Sequence, residues 1–168
     1  MDDLDTSLLR LLVEEPRAGM REYARVLGVA RGTVQARLTR LERMGVIADY
    51  APRLSPSMMG YPVLALVHLH LAQGRLNDVA TALHAMPEVL EAHTIAGEGD
   101  LVCRVVARDN GHLEDVIQQL IKLPGVVRTK TEVILSERVA YRVLPLVIHG
   151  GTTPAPPGPD SERQSNTR

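Results

Sequence analysis

Apolar residues recur every three or four positions in three short stretches at the start of the chain, the spacing that buries one face of a helix. The first stretch covers residues 2–13, with Asp5 as its expected N-cap, and Pro16 stops it. The second covers 20–27, and Gly28 follows it where a helix commonly ends. A third begins at Arg31 after a short turn. Three short helices in this order predict a helix-turn-helix DNA-binding domain over residues 1–50.

The third helix has two chemically different faces. Val34, Leu38 and Leu41 form an apolar back, and the other positions carry hydrogen-bonding and cationic side chains. Such side chains can reach base edges and phosphates in the DNA major groove. The predicted DNA-binding residues are Arg31, Thr33, Gln35, Arg37, Arg40 and Arg43. We expect Thr33 and Gln35 nearer to bases and the arginines at 37, 40 and 43 nearer to phosphates. The alternative is a solvated helix face without a ligand.

The pattern changes after Gly45. Residues 46–61 predict a strand and a linker, the linker segment being 51–61, and a second domain follows over 62–148. Two strand-helix-strand units then repeat at an offset of 37 residues, over 63–96 and 100–135. This repeat predicts a ferredoxin-like βαββαβ sheet with both helices on one face. A further apolar strand is expected over 139–148, and the Gly-, Pro- and polar-rich residues 149–168 are expected to be disordered.

The composition disfavours some classes of function but does not identify one. The net charge is −1, so a positive surface for nucleic acid must be local. Residues 21–43 contain six arginines and only two glutamates, a local excess of positive charge. Phe and Trp are absent, which disfavours binding of single strands by base stacking. No signal peptide or membrane-spanning apolar run is visible, so a cytoplasmic protein is expected. The strands carry consecutive apolar residues, which predicts a homodimer packed sheet to sheet.

The motifs taken together resemble the Lrp/AsnC family of transcription regulators, the group of the leucine-responsive regulatory protein. The resemblance covers residues 1–147 and rests on the block GVxxGTVxxRLxRLExMGVI over 28–47, the AGEGD turn over 96–100 and LPGV over 123–126. It implies an α+β protein with an N-terminal winged helix-turn-helix domain and a C-terminal domain of the amino-acid-metabolism regulator type. Family members bind double-stranded DNA, dimerise, often form octamers and respond to an amino-acid effector, with no other cofactor.

The resemblance also implies an effector site. Glycine N–H groups of the AGEGD turn would approach a ligand carboxylate, while Asp100 or Glu98 would pair with its ammonium group. The predicted effector-binding residues are Gly97, Glu98, Gly99, Asp100, Leu123, Gly125, Thr129 and Thr131, the last four from a neighbouring subunit. From spacing alone, a plain hairpin turn is the simpler interpretation. The turn lacks the aromatic residue usual in the family, and Gly19 and Ala30 replace the usual Ser caps.

Other candidate residues predict no catalytic or metal site. His68 and His70 share a strand face, but no further ligand lies at suitable spacing, so packed or interface positions are expected. Cys103 is expected to be a small buried hydrophobe. The leading hypothesis is a sequence-specific transcriptional regulator and not an enzyme. Two alternatives stay open: an enzyme similar to siroheme decarboxylases, which look like this family, and an architectural protein that binds DNA with little sequence preference.

Overall fold

The computed structural model describes residues 1–149 of the 168-residue chain. The described chain divides into two compact units, one formed by Met1–Ala51 with residues 140–149, the other by Pro52–Val139. Each unit has its own cluster of buried apolar residues. The predicted disorder of residues 149–168 therefore falls almost entirely outside the described chain.

The N-terminal unit is helical. It contains α1 (Asp3–Glu14), α2 (Met20–Leu27) and α3 (Arg31–Arg43), as the apolar periodicity predicts. Gly28 ends α2 with φ +66°, a left-handed conformation that glycine adopts at little cost, and α3 starts three residues later. The three helices pack around Leu8, Leu9, Tyr23, Ala24, Val34, Leu38 and Leu41. This arrangement fixes the apolar back of α3 against the core and leaves Thr33, Gln35 and Thr39 exposed.

The helix caps differ in part from the prediction. The N-cap of α1 is Asp2, not Asp5, and its side chain accepts a hydrogen bond from the N–H of Asp5. Asp5 lies three residues further on and accepts from the N–H of Asp2, which completes a capping box. Gly19 and Ala30 precede α2 and α3 without a side-chain cap, as predicted. The starts of both helices of the helix-turn-helix therefore lack one stabilising hydrogen bond each.

The strand predicted after Gly45 is absent, and with it the wing of the expected winged domain. Val46 and Ile47 instead donate their N–H groups back to the carbonyl of Leu41, so the chain folds over the end of α3. Tyr50 donates a hydrogen bond to Glu42 at 2.8 Å and holds residues 46–50 on α3. The linker contains one 3-10 turn, Ser57–Met59, and no strand. A strand here would need a partner strand, which this unit does not provide within the described residues.

The second unit is a four-stranded antiparallel sheet with two helices. The elements run β1 (Val63–Leu71), α4 (Leu76–His84), β2 (Val89–Thr94), β3 (Leu101–Ala107), α5 (Asn110–Ile121) and β4 (Val126–Ile134). The strand order is β2-β3-β1-β4. Both βαβ units thus interleave in one sheet, and the predicted ferredoxin-like fold is confirmed.

Both helices cover one face of this sheet. Buried residues of β1 and β3, such as Val67 and Val105, pack against Val79, Leu83 and Val116 of the helices. The other face, the open face, carries the alternate residues of each strand. Leu64, for example, is paired with Val106 of β3 and Ile134 of β4 on this face. Leu64 and Leu66 are only half-buried in a single chain, so apolar surface remains available there.

The prediction of a strand over residues 139–148 is wrong. Residues Leu144–His149 form a short helix, α6, and they belong to the N-terminal unit. Pro145 lies in the first turn of α6, where a missing N–H is tolerated. Val147 packs against the core of the three N-terminal helices. A short apolar run without turn signals fits a strand or a helix equally well, and packing against α1 decides the outcome here.

Candidate functional site: the recognition helix and the effector turn

The exposed surface of α3 contains most, but not all, of the predicted DNA-binding residues. Arg31, Thr33, Gln35 and Arg43 are exposed, and so is Thr39, which the prediction did not include. Arg37 and Arg40 are only partly exposed. Successive helix residues are about 100° apart, so 37 and 40 lie on one flank of the buried stripe. The predicted residues therefore form two groups with different surroundings.

The guanidinium groups of Arg37 and Arg40 turn towards the first turn of α1. Arg37 Nη1 donates to Asp5 Oδ1 at 3.0 Å and also to Asp2 Oδ2, and Arg40 Nη2 donates to Asp5 Oδ2. The side chain of Asp5 has no exposed surface. Both arginines are thus already paired with carboxylates of α1 and its N-cap. The prediction that they contact phosphates stays untested.

Three other arginines of the patch keep their charge available. Within the described residues, Arg21, Arg31 and Arg43 form no ion pair, whereas Arg25 pairs with Glu22 on the surface of α2. Arg31 and Arg43 lie at opposite ends of α3, about 18 Å apart at 1.5 Å of rise per residue. That spacing suits contacts to phosphates on either side of a groove into which α3 is inserted.

Sequence reasoning missed the role of Asp5. Asp5 precedes Leu8 and Leu9 by three and four residues, so it lies within the buried stripe of α1. A charged residue inside an apolar stripe is a signal that a cation faces it, because a buried carboxylate must be paired. Its partners are 32 and 35 residues away along the chain, and periodicity alone does not identify them.

The AGEGD turn is fastened to the end of β1. Asp100 accepts a hydrogen bond from Leu71 N–H at 2.7 Å through Oδ2, and its own N–H donates to the Leu69 carbonyl at 2.9 Å. Glu98 pairs with Lys130 at 3.1 Å and Arg128 at 3.6 Å. The hydrogen bond from Lys130 lowers the pKa of Glu98, so it is ionised near neutral pH. The N–H groups of residues 97–99 have no acceptor within the described chain and can bind a ligand carboxylate.

A cleft of about 290 Å³ opens beside this turn. It is lined by Leu71, Ala72, Gln73, Gly74, Leu76, Thr94, Ile95 and Asp100. Its size lies near the lower end of the roughly 300–1,000 Å³ common for ligand sites. Only Asp100 of the predicted effector residues lines it. The cleft can accommodate a small molecule that carries an apolar side chain and one polar group near Asp100.

The second group of predicted effector residues lies elsewhere in the chain. Thr129 and Thr131 are paired with Leu69 and Val67, so they occupy the helix-covered face of the sheet, opposite to Lys130. Leu123 and Gly125 lie between α5 and β4, and the carbonyl of Gly125 accepts the N–H of Ala72 at 2.8 Å. A single chain brings Gly125 near the cleft through Ala72 but does not place either threonine beside the AGEGD turn.

His68 and His70 share one face of β1, as their spacing predicts, and this face is the open one. His68 Nε2 is 3.8 Å from Glu132 and His70 Nε2 is 3.2 Å from Arg128. The described residues contain no cluster of three or more His, Cys, Asp or Glu side chains arranged for a metal ion. Both histidines lie beside charged side chains of β4, Glu132 and Arg128, on the open face.

Two family models match the chain. The AsnC-type helix-turn-helix domain matches residues 1–42, and the Lrp/AsnC ligand binding domain matches residues 64–144. The feast or famine regulatory protein of M. tuberculosis, solved in complex with L-methionine, is 32% identical, with a TM-score of 0.76 over 84% of this chain and 96% of that one. The chain belongs to the Lrp/AsnC family.

Other relatives of this Lrp/AsnC protein agree. The HTH-type transcriptional regulator FL11 of Pyrococcus horikoshii is 26% identical over 146 residues, which cover 87% of this chain and 97% of FL11. A transcriptional regulator of Neisseria meningitidis, solved as an L-Met complex, is 25% identical with a TM-score of 0.79, over 87% of this chain and 97% of that one. The protein is an Lrp/AsnC-type transcriptional regulator, and its relatives are regulators and not enzymes. None of its described helices has the length and apolarity needed to cross a membrane.

Proposed function

We propose that this Lrp/AsnC protein binds specific double-stranded DNA sequences with the exposed face of α3. The observation that carries the proposal is the arrangement of α3 on its core: Val34, Leu38 and Leu41 are buried, while Thr33 and Gln35 are exposed. They lie between Arg31 and Arg43, which form no ion pair with any residue that the structure describes. Thr and Gln side chains can hydrogen-bond base edges, and free arginines can contact phosphates. The exposed Thr39 lies between Gln35 and Arg43 along the helix and joins this surface.

Selection of binding sites from a pool of random duplexes tests the proposal. We expect an enriched motif, and the affinity for that duplex should exceed the affinity for a scrambled duplex by at least about a thousand-fold. Gln35→Ala should relax the preference at one position of the motif. Arg108→Ala, which removes an exposed arginine of the ferredoxin-like unit, is the matched control for a general loss of charge. A ratio near one would instead support an architectural DNA-binding protein.

The effector of this regulator is proposed to be an amino acid bound at the AGEGD turn and the adjoining cleft. The free N–H groups of residues 97–99 suit a carboxylate, and Asp100 suits an ammonium group. Two solved relatives hold L-methionine, which makes it the first ligand to test. Leu71, Leu76 and Ile95 offer apolar contact to a side chain of that kind.

A thermal-shift series over the common amino acids tests the effector proposal. We expect a stabilising ligand, and its shift should be lost in Asp100→Asn, which removes the charge while keeping an acceptor for Leu71 N–H. Glu114→Gln, a change of the same type on the exposed face of α5, should respond as the wild type does. The absence of any stabilising amino acid at millimolar concentration would contradict the proposal.

A homodimer is proposed to form through the open face of the sheet. Val106, Leu64 and Ile134 form an apolar row across β3, β1 and β4 on that face. Leu64→Asp should therefore give a monomer, whereas Ile121→Asp, at an exposed apolar position of α5, should leave the mass unchanged. Light scattering coupled to gel filtration measures this mass and also distinguishes a dimer from an octamer. A Leu64→Asp variant with the wild-type mass would place the interface elsewhere.

A further inference from the structure

The carboxylate of Asp5 is the centre of a polar cluster between α1 and α3. Its Oδ2 accepts from Arg40 and from the N–H of Asp2 at 3.0 Å, and its Oδ1 accepts from Arg37 at 3.0 Å. Asp2 adds a second carboxylate to Arg37. Burial would raise the pKa of Asp5, but the hydrogen bonds from Asp2 N–H, Arg40 and Arg37 together lower it. The carboxylate is therefore ionised and bound from both sides.

The guanidinium groups of both arginines are directed towards the carboxylate of Asp5. The side chain of Arg37 is 28% exposed and that of Arg40 is 42% exposed. Arg40 Nε is buried without a hydrogen-bond partner among the described residues, so this end of its guanidinium is turned away from solvent. A phosphate that recruited either arginine would have to compete with a carboxylate already in place. If the arginines moved to a phosphate, the carboxylate of Asp5 would remain as a buried unpaired charge, which is strongly unfavourable.

The cluster also determines the orientation of α3. Leu38 and Leu41 hold the helix by an apolar stripe, and such contacts tolerate small rotations because they are not directional. Hydrogen bonds from residues 37 and 40 to one fixed acceptor are directional, and they act on a single flank of the helix. A rotation of α3 that carries this flank away from α1 would lengthen both bonds at once. The same rotation would turn Thr33 and Gln35 away from their outward direction.

We propose that Asp5 is a positioning residue for DNA recognition: through Arg37 and Arg40 it sets the rotation of α3, and these two arginines do not contact phosphates. The inference rests on the proposed DNA binding by α3. It assigns the phosphate contacts of this helix to Arg31 and Arg43 and assigns Arg37 and Arg40 to specificity. The sequence alone does not separate these arginines, and it predicts phosphate contacts for 37 and 40 as well as for 43.

The salt dependence of binding separates the two roles. Each phosphate contact contributes about −0.9 to the slope of log affinity against log salt. Arg40→Gln should leave this slope unchanged and lower the affinity for the selected duplex about ten-fold, the equivalent of one impaired base contact, while binding to a scrambled duplex stays the same. Arg43→Gln is the matched control, and on both duplexes it should reduce the slope by about one for each subunit that contacts the DNA. A reduced slope for Arg40→Gln would overturn the inference.

Asp5→Asn provides the second test. It removes the carboxylate that holds both arginines, so it should weaken binding to the selected duplex and strengthen binding to the scrambled duplex, with a steeper salt slope. Partial unfolding would instead weaken binding to both duplexes, and circular dichroism at the assay temperature detects it. If Asp5→Asn does not fold, the result for Arg40→Gln decides the test alone. Equal affinity ratios in Asp5→Asn and wild type would overturn the inference. Failure of Arg43→Gln to change any slope would instead contradict the proposed DNA-binding surface.

Discussion

The backbone of Gly125 lies directly against the side chain of Arg75: a Cβ at Gly125 would be 2.6 Å from Arg75 Cβ and 2.9 Å from its Cγ. Gly125 also has φ +104°, a conformation that other residues rarely adopt. Gly125→Ala should therefore destabilise the ferredoxin-like unit for two reasons. Backbone strain should cost about 1–2 kcal/mol, and the steric clash with Arg75 should cost roughly another 1–3 kcal/mol. Urea unfolding of the variant measures the sum.

Gly74→Ala is the control for the strain alone. Gly74 has φ +76°, and a Cβ there would meet no atom within 4 Å. We expect this variant to lose only the strain of about 1–2 kcal/mol. If Gly125→Ala were no less stable than Gly74→Ala, the contact with Arg75 would be soft and the close approach of these two segments would carry no energetic weight.

The missing cap of α3 offers a stabilising change. Ala30 has the extended conformation of an N-cap, with φ −66° and ψ 147°, but no side-chain acceptor for the N–H groups of Gly32 and Thr33. Ala30→Ser should add that acceptor and raise the free energy of unfolding by about 1 kcal/mol. Ala36→Ser introduces the same residue at an exposed position within α3, where it should destabilise by a few tenths of a kcal/mol. Equal effects of both substitutions would contradict the capping argument.

Local patterns predicted the fold well because each element satisfies its own periodicity. The stripe Val34, Leu38 and Leu41 identifies α3, and the repeated strand-helix-strand units over 63–96 and 100–135 identify the sheet. Interactions between distant residues decided the rest. The choice between Asp2 and Asp5 as N-cap depends on the arginines of α3, and the helix at Leu144–His149 depends on its packing with α1. The same holds for the candidate site. The exposure of Thr33 was predictable from its place on the helix, whereas the pairing of Arg40 with the distant Asp5 was not.

Cys103 should be chemically inert in the folded protein. It is fully buried in β3, between Val67 of β1 and Ala92 of β2, and burial raises the pKa of its thiol to about 11. Only the thiolate reacts quickly with disulfide reagents, so Ellman's reagent at pH 8 should modify Cys103 only after unfolding. Arg108→Cys adds an exposed thiol next to the same strand and should react at once. Rapid modification of one thiol in the native wild type would show that β3 opens locally.

Asp2 should make the N-terminal unit sensitive to acid. The hydrogen bonds from Arg37 and from Asp5 N–H lower the pKa of Asp2 from 3.8 to about 2. A lowered carboxyl pKa stabilises the fold above the unfolded value and loses this effect as the pH falls through the folded value. Asp2→Asn keeps a good cap without the charge. The wild type should melt higher at pH 7, and the difference should shrink between pH 4 and pH 2. A difference that is constant over pH would exclude the charge as its cause.

The last element of the described chain should stabilise the DNA-binding unit. Val147 of α6 packs against the core formed by α1, α2 and α3, whereas Leu146 beside it is 72% exposed. Val147→Asp places a charge on this contact and should destabilise the helical unit by roughly 1–3 kcal/mol, with a parallel loss of affinity for the selected duplex when the assay approaches the melting temperature. Leu146→Asp, the same change one residue earlier, should have little effect. Thermal unfolding followed at 222 nm compares the two variants. Equal stability of both would show that α6 does not hold its place on α1 in solution, and the predicted role of this helix would then be wrong.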